Sequence, residues 1–346
     1  MPCFKIKVQA AVPGKGIADL YLLYPDKRIL IAYGIGCGYG KIDSTFCLAF
    51  KPESSVSVIL EHKTFKLTPN KSWTRFGLKQ DQLNGPSKIT RKKRGQKNEF
   101  YIADSRNHRI VGFNTYGDMQ YAFGGFGRTG ALFNTPNCLA VNSRLEFIVS
   151  DSRNRRIVYL SPHGEFIREI KTWNNTDLGM PAGLCVDTYD RIWIFVPEND
   201  HLLLYNNTGQ FLREIRFLGK GVGFLKGPIG GTVYNDSIYI IDQGNSRIAV
   251  LDKMGRLVNT FGKNILKKPD DIYVDENLIW VLDQGNLLMF DKEGGLAAQW
   301  RNISSPGSSL CSWGENRLLI TDFVRGSVIP YQIECRTNEI RADYFY

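Results

Sequence analysis

The chain lacks most of the signals that make an enzyme or a membrane protein legible. Its seven cysteines (Cys3, Cys37, Cys47, Cys138, Cys185, Cys311 and Cys335) are scattered and form no CxxC pair, so neither a thiol redox motif nor a zinc-finger spacing is present. There are four histidines, and no G-x-S-x-G elbow for a serine nucleophile. No stretch approaches the roughly 18 uninterrupted apolar residues of a membrane span. The opening MPCFKIKVQAAVPGKG has no apolar segment of the secretory kind. These absences predict a non-enzymatic protein with no cofactor and no resident metal, in a reduced, intracellular setting. In that setting the five N-x-S/T sequons (Asn70, Asn174, Asn206, Asn235 and Asn302) read as chance occurrences.

What is present is ordinary globular composition: 346 residues, 43% apolar, 23% charged and 12% aromatic. Disorder, collagen and coiled coil are excluded. Glycine is plentiful at 34, which points to many tight turns, and the net charge of +10 favours an acidic partner.

Self-similarity dominates the chain. Residues 136–170 read as strand PNCLAV, strand EFIVSD, a polar loop SRNR, strand RIVYL, a turn SPHG and strand EFIREI. The segments 86–124 and 228–262 repeat this order. Pro86, Pro136, Pro181, Pro228, Pro269 and Pro306 open six units at spacings of 37 to 50 residues. The second strand ends in Asp104, Asp151, Asp242, Asp283 and Asp322. Three residues after that position come Asn107, Asn154, Asn199, Asn245 and Asn286, and two further on Arg109, Arg156 and Arg247. Asp can accept hydrogen bonds from the turn, Asn tolerates positive φ there, and Arg can reach back to Asp. These are scaffold roles. The third unit departs from the pattern, with Val196 and His201 replacing Asp and Arg, and Arg325 stands in the Asn position of the last.

The D-x-x-N-x-R-I/V motif behind a unit-opening proline resembles the NHL-repeat family of β-propellers, over about residues 77–322. The resemblance implies an all-β propeller of four-stranded blades, in which stacked sheets bury one another. It implies partner binding through one face, of protein or of RNA, and for some six-bladed relatives a lyase activity with a His-held metal at the channel mouth.

Residues 44–77 repeat the strand–turn cycle without D-x-x-N, and span the same length from first strand to closing Phe-Gly as the 269–300 unit. This predicts seven blades in a single domain over 1–346. The last blade takes its first strands from 308–333 and its outer strand from Arg28–Tyr33, which removes an open sheet edge. The alternative is a β module over 1–70 followed by a six-bladed propeller over 71–346.

Gly125-Phe-Gly127-Arg-Thr-Gly130 matches a dinucleotide fingerprint, but strand-like sequence on both sides marks it as a blade-to-blade turn. Cys138, Cys185 and Cys311 fall on first strands and read as buried small residues. Arg91-Lys92-Lys93-Arg94 sits in a first-to-second-strand turn and reads as a solvated insertion, with a nucleic-acid patch as the alternative. His108 and His201 are two candidate metal ligands where about three are needed. Glu198 and Asp200 read as part of a solvated loop.

The candidate binding face gathers the off-pattern residues of the polar loops with the blade-to-blade linkers. It consists of Arg106, His108, Phe126, Arg128, Arg153, Arg155, Lys220, Lys263, Lys267, Lys268 and Arg301. Guanidinium forks grip carboxylate or phosphate, and Phe126 offers a stacking surface. Acidic Asp81, Glu198 and Asp200 make its field lopsided. The leading expectation is an interaction scaffold that docks a protein partner within a larger assembly. The alternatives are RNA or single-stranded nucleic-acid binding, and a metal-dependent lyase or hydrolase.

Overall fold

The computed structural model describes side chains over residues 65–93, 97–215 and 224–336. It adds backbone strands at Cys3–Ala11, Gly16–Leu23, Arg28–Cys37, Lys41–Ala49, from Val56 onward, and on to Tyr344. Strand sequences here are near-continuous apolar runs, because both faces of each sheet are covered. In Arg156–Leu160, Ile157 and Tyr159 point into one core with Ile194 and Leu203, while Val158 and Leu160 point into another with Tyr101 and Ile110. Alternation at period two thus feeds two interfaces from one strand.

The strands form six antiparallel blades. Blade I is Pro86–Arg94, Lys97–Asp104, Arg109–Phe113 and Met119–Gly124. Blade II is Pro136–Val141, Phe147–Asp151, Arg156–Leu160 and Phe166–Ile170. Blade III is Gly183–Val186, Ile192–Val196, His201–Tyr205 and Phe211–Ile215. Blade IV is Pro228–Tyr234, Ser237–Asp242, Arg247–Leu251 and Leu257–Phe261. Blade V is Pro269–Val274, Ile279–Asp283, Asn286–Phe290 and Leu296–Trp300. Blade VI is Leu310–Gly314, Arg317–Asp322, Ser327–Tyr344 and Val56–Pro69, and its sheet continues into Gly16–Leu23 and Arg28–Cys37. Helix is limited, among the described residues, to single 3-10 turns such as Ser105–Asn107 and Ser152–Asn154. None is long and apolar enough to cross a membrane.

Six blades correct the expected seven. Apolar cores join each blade to the next, and the last joins Cys311, Leu319 and Val328 of blade VI to Ile89 and Phe100 of blade I. The ring is complete at that contact and has no slot for another sheet. The strand read as a seventh first strand lies in Lys41–Ala49, which pairs with Cys3–Ala11 in a separate two-stranded sheet. The closure expected from Arg28–Tyr33 is corrected too. The neighbour of Tyr331–Cys335 is Phe65–Pro69, and Arg28–Cys37 stands two strands further out, beside Gly16–Leu23. The N-terminal strands imitate the repeat in length alone, because they lack the Asp and Asn that lock a real blade to its linker.

Candidate functional site

That lock is local and repeated. In blade II, Asp151 accepts from the Asn134 backbone N–H at 2.7 Å, from Asn154 Nδ2 at 2.7 Å and from Arg156 Nε at 2.8 Å. Asn154 also donates to Gly127 O at 2.7 Å, and Arg156 Nη2 to Leu132 O at 2.5 Å. Asp104, Asn107 and Arg109 reproduce this in blade I, and Asp242, Asn245 and Arg247 in blade IV. In blades I, II and IV the Arg reaches back to the Asp as expected, and the motif also ties the blade to the linker that precedes it. The left-handed residue is the one after Asn: His108, Arg155, Asp200 and Ser246 all have φ between 52° and 56°. The expectation that Asn takes that conformation is off by one position.

Blade III lacks the Asp–Arg pair and is held differently. His201 is buried with Nδ1 3.2 Å from Glu214 Oε1, and its ring meets Trp173 edge-on at 5.3 Å. His108 Nδ1 accepts the Thr135 N–H at 3.0 Å. His201 thus serves its own blade, and His108 ties the turn of blade I to the start of blade II. Among the described residues no three His, Cys, Asp or Glu side chains gather where they could hold a metal. The glycine fingerprint is a linker: its carbonyls at Gly127 and Gly130 accept from Asn154 and Arg156. Cys138, Cys185 and Cys311 line the central channel, and burial raises all three thiols, Cys311 to about 12.

The polar turns and the linkers do share one face of the ring, since each first strand starts beside the end of its second, as Pro86 pairs with Asp104. Arg128, Arg153, Lys263, Lys267, Lys268 and Arg301 are exposed there. Arg106 lies over the Phe323 ring at 4.9 Å, and His108 meets Phe126 edge-on at 5.0 Å. Arg155 is not free: it pairs with Asp177 at 2.8 Å and stands 4.0 Å from Glu198. Glu198 also accepts the Met180 N–H, and Asp200 the Gly227 N–H. Lys220 lies outside the described residues.

Exposed apolar side chains alternate with these charges, a feature that sequence reasoning missed apart from Phe126. Leu78 is 77% exposed, Phe126 69% and Val324 58%, and Leu132, Met180 and Ile265 join them. All sit on linkers or polar turns. The Arg91–Arg94 run is on the opposite face and is partly committed. Arg91 Nη1 donates to Ser312 Oγ at 3.2 Å, and Lys92 Nζ to Asn142 O at 2.7 Å. Burial lowers the Lys92 amine, against the pull of Asp190.

At the centre, Lys88 Nζ donates to Asp271 Oδ1 at 2.7 Å, joining blade I to blade V. Ser309 Oγ and the Leu310 N–H also donate to Asp271. Burial disfavours the Lys88 ammonium, but Asp271 outweighs it and its pKa is raised. This bridge stands between a chamber of about 460 Å³ at the polar-loop mouth and one of about 250 Å³ beyond it.

No family model matches the chain. Over 141 residues, 40% of this chain, it is 26% identical to Protein brain tumor of Drosophila melanogaster, an NHL-repeat protein; that stretch is 13% of the fly protein. Solved structures that share the fold include these three. Virginiamycin B lyase from Staphylococcus aureus is 13% identical with a TM-score of 0.57, over 78% of this chain and 99% of that one. A gluconolactonase from Xanthomonas campestris is 16% identical with a TM-score of 0.53, over 68% and 82%. A Bacteroides thetaiotaomicron protein of unknown function is 13% identical with a TM-score of 0.55, over 96% and 98%. The expectation of a non-enzymatic protein is corrected by these neighbours. Two of the three are enzymes, so a missing triad or elbow does not bar this fold from catalysis. At such identities they establish the architecture and assign no reaction. The chain is a six-bladed β-propeller with one weak NHL-repeat relative, and its polar-loop face is the candidate site.

Proposed function

We propose that the polar-loop face docks a protein partner that presents acidic and apolar side chains. The observation that carries this is the alternation of exposed Leu78, Phe126, Leu132, Met180, Ile265 and Val324 with exposed Arg128, Arg153 and Lys263 on one rim. Aromatic and Arg anchors surrounded by apolar contacts are what protein interfaces concentrate. The test uses three baits in extracts of the producing cell: the natural chain, Leu78→Glu with Phe126→Ala, and Tyr116→Ala on the opposite face. A partner held by the first and third baits and lost by the second supports the reading. A partner lost only with Tyr116→Ala contradicts it.

A second reading, single-stranded RNA, is favoured by Phe126 standing beside exposed Arg128, with Arg106 and Arg153 on the same rim. It requires binding that weakens steeply with salt and is lost with Arg106→Glu and Arg153→Glu together. Affinity indifferent to both would remove it.

A further inference from the structure

The residue two places after each of the first five unit-opening prolines occupies one layer of the channel wall. Around the ring this layer reads Lys88, Cys138, Gly183, Gly230 and Asp271, with Ser309 at the matching register in blade VI. On one side Lys88 and Ser309 both donate to Asp271. Opposite them stand two glycines, so the wall recedes and the chamber at the mouth opens. The two glycines serve different ends. A Cβ on Gly183 would come within 2.3 Å of the Ile229 carbonyl oxygen, so close approach of blades III and IV requires glycine there. A Cβ on Gly230 would meet only Ile241 Cδ1, at 3.9 Å. Packing does not demand glycine at 230; its effect is to leave the chamber empty.

The chamber is lined by groups held ready for hydrogen bonding. Asn137 Nδ2 is fixed on Ala182 O at 2.7 Å and Gln243 Nε2 on Pro269 O at 3.0 Å. Each amide is thereby oriented, and its carbonyl oxygen has no internal donor among the described residues. Gln284 adds a third amide, Asp270 a carboxylate, Lys268 an ammonium and Phe323 an apolar edge. Two ammonium groups, Lys88 and Lys268, and two carboxylates, Asp270 and Asp271, line it, so a charged ligand would lose its hydration without net compensation. Hydroxyl groups, which donate and accept at once, match this mixture. A volume of about 460 Å³ lies within the range of small-molecule pockets.

We infer that the channel mouth is a binding site for an uncharged polyhydroxylated small molecule of monosaccharide size, seated between the Gly183–Gly230 wall and the Asn137, Gln243 and Gln284 amides. None of the side chains assigned to docking above lines the chamber, although Lys268 of the same face does and Arg106 lies over its Phe323. The experiment is ligand-observed saturation-transfer NMR and calorimetry on the full chain. The probes are glucose, galactose, N-acetylglucosamine and their methyl glycosides, with inorganic phosphate and glycine as charged controls. At least one neutral sugar binds the natural chain. Gly230→Leu, which fills the chamber, and Gln284→Ala each weaken it tenfold or more while the melting temperature of the free protein stays unchanged. Binding of a methyl glycoside marks recognition of a glycan end, and binding of the free sugar alone marks a metabolite. If Gly230→Leu does not fold, Gln284→Ala and Gly230→Ala decide. No neutral sugar binding at millimolar concentration, equal binding to the filled chamber, or preference for phosphate or glycine would each overturn the inference. The rim variants Leu78→Glu and Phe126→Ala leave sugar binding intact, which separates this result from the fate of the docking reading.

Discussion

Arg156 Nε lies 2.8 Å from Asp151 Oδ2 with both side chains at 0% exposure, and the same guanidinium reaches Glu169 at 2.7 Å and the Leu132 carbonyl. One buried fork thus joins three strands of blade II to the linker arriving from blade I. Removing it leaves a buried carboxylate and bare carbonyls. Arg156→Ala is expected to cost about 3–5 kcal/mol. Arg325→Ala should cost no more than about 1 kcal/mol, because the Arg325 side chain is 73% exposed and the buried Asp322 keeps hydrogen bonds from Ser305 and two backbone N–H groups. Urea unfolding of both variants checks the contrast, and equal losses would remove the lock from the account.

Asp270 gives a pH dependence of known sign. Burial, together with the nearby Asp283 carboxylate, lifts its pKa to about 6, against N–H bonds from Gly307 and Gln284 and the pull of Lys268. A raised folded pKa means that the folded state holds the proton more tightly than the unfolded chain. Stability is therefore lost as pH climbs from about 4 to about 6. Asp270→Asn should match the natural chain near pH 4 and exceed it at pH 7, by on the order of 1 kcal/mol after solvent screening. Paired denaturation curves at the two pH values test this, and a variant less stable at pH 7 would reverse the sign.

Glycine tolerance should differ sharply between two neighbours in the channel wall. Gly183→Ala drives a methyl group into the Ile229 carbonyl and should lower stability by about 1–3 kcal/mol. Gly230→Ala should be close to neutral. Thermal melts of the two single variants decide it.

How much of this could be read from the sequence follows from what is local. Asp151, Asn154 and Arg156 lie within six residues, so their mutual bonds were legible from spacing, and so was the dismissal of Gly125–Gly130 as a linker. The blade number was not, because it depends on Phe65–Pro69 meeting Tyr331–Cys335 across more than 250 residues. Strand length carries no information about that meeting. Arg155 was placed on the binding face without these partners, because Asp177 arrives from the linker after blade II and Glu198 from the turn of blade III. The channel layer had a signal that went unused. Aligning the residue two places after each of the first five prolines gives Lys88, Cys138, Gly183, Gly230 and Asp271, a set too uneven for a packed repeat core.

The docking reading rests on which face meets the partner, and site-specific photocrosslinking measures that directly. A photoreactive side chain placed at Phe126, at Leu132 and, on the opposite face, at Tyr116 and Met254 is irradiated with the protein in its native complex. The account predicts crosslinks to one partner from Phe126 and Leu132 and none from Tyr116 or Met254. Crosslinks confined to Tyr116 and Met254 would contradict it.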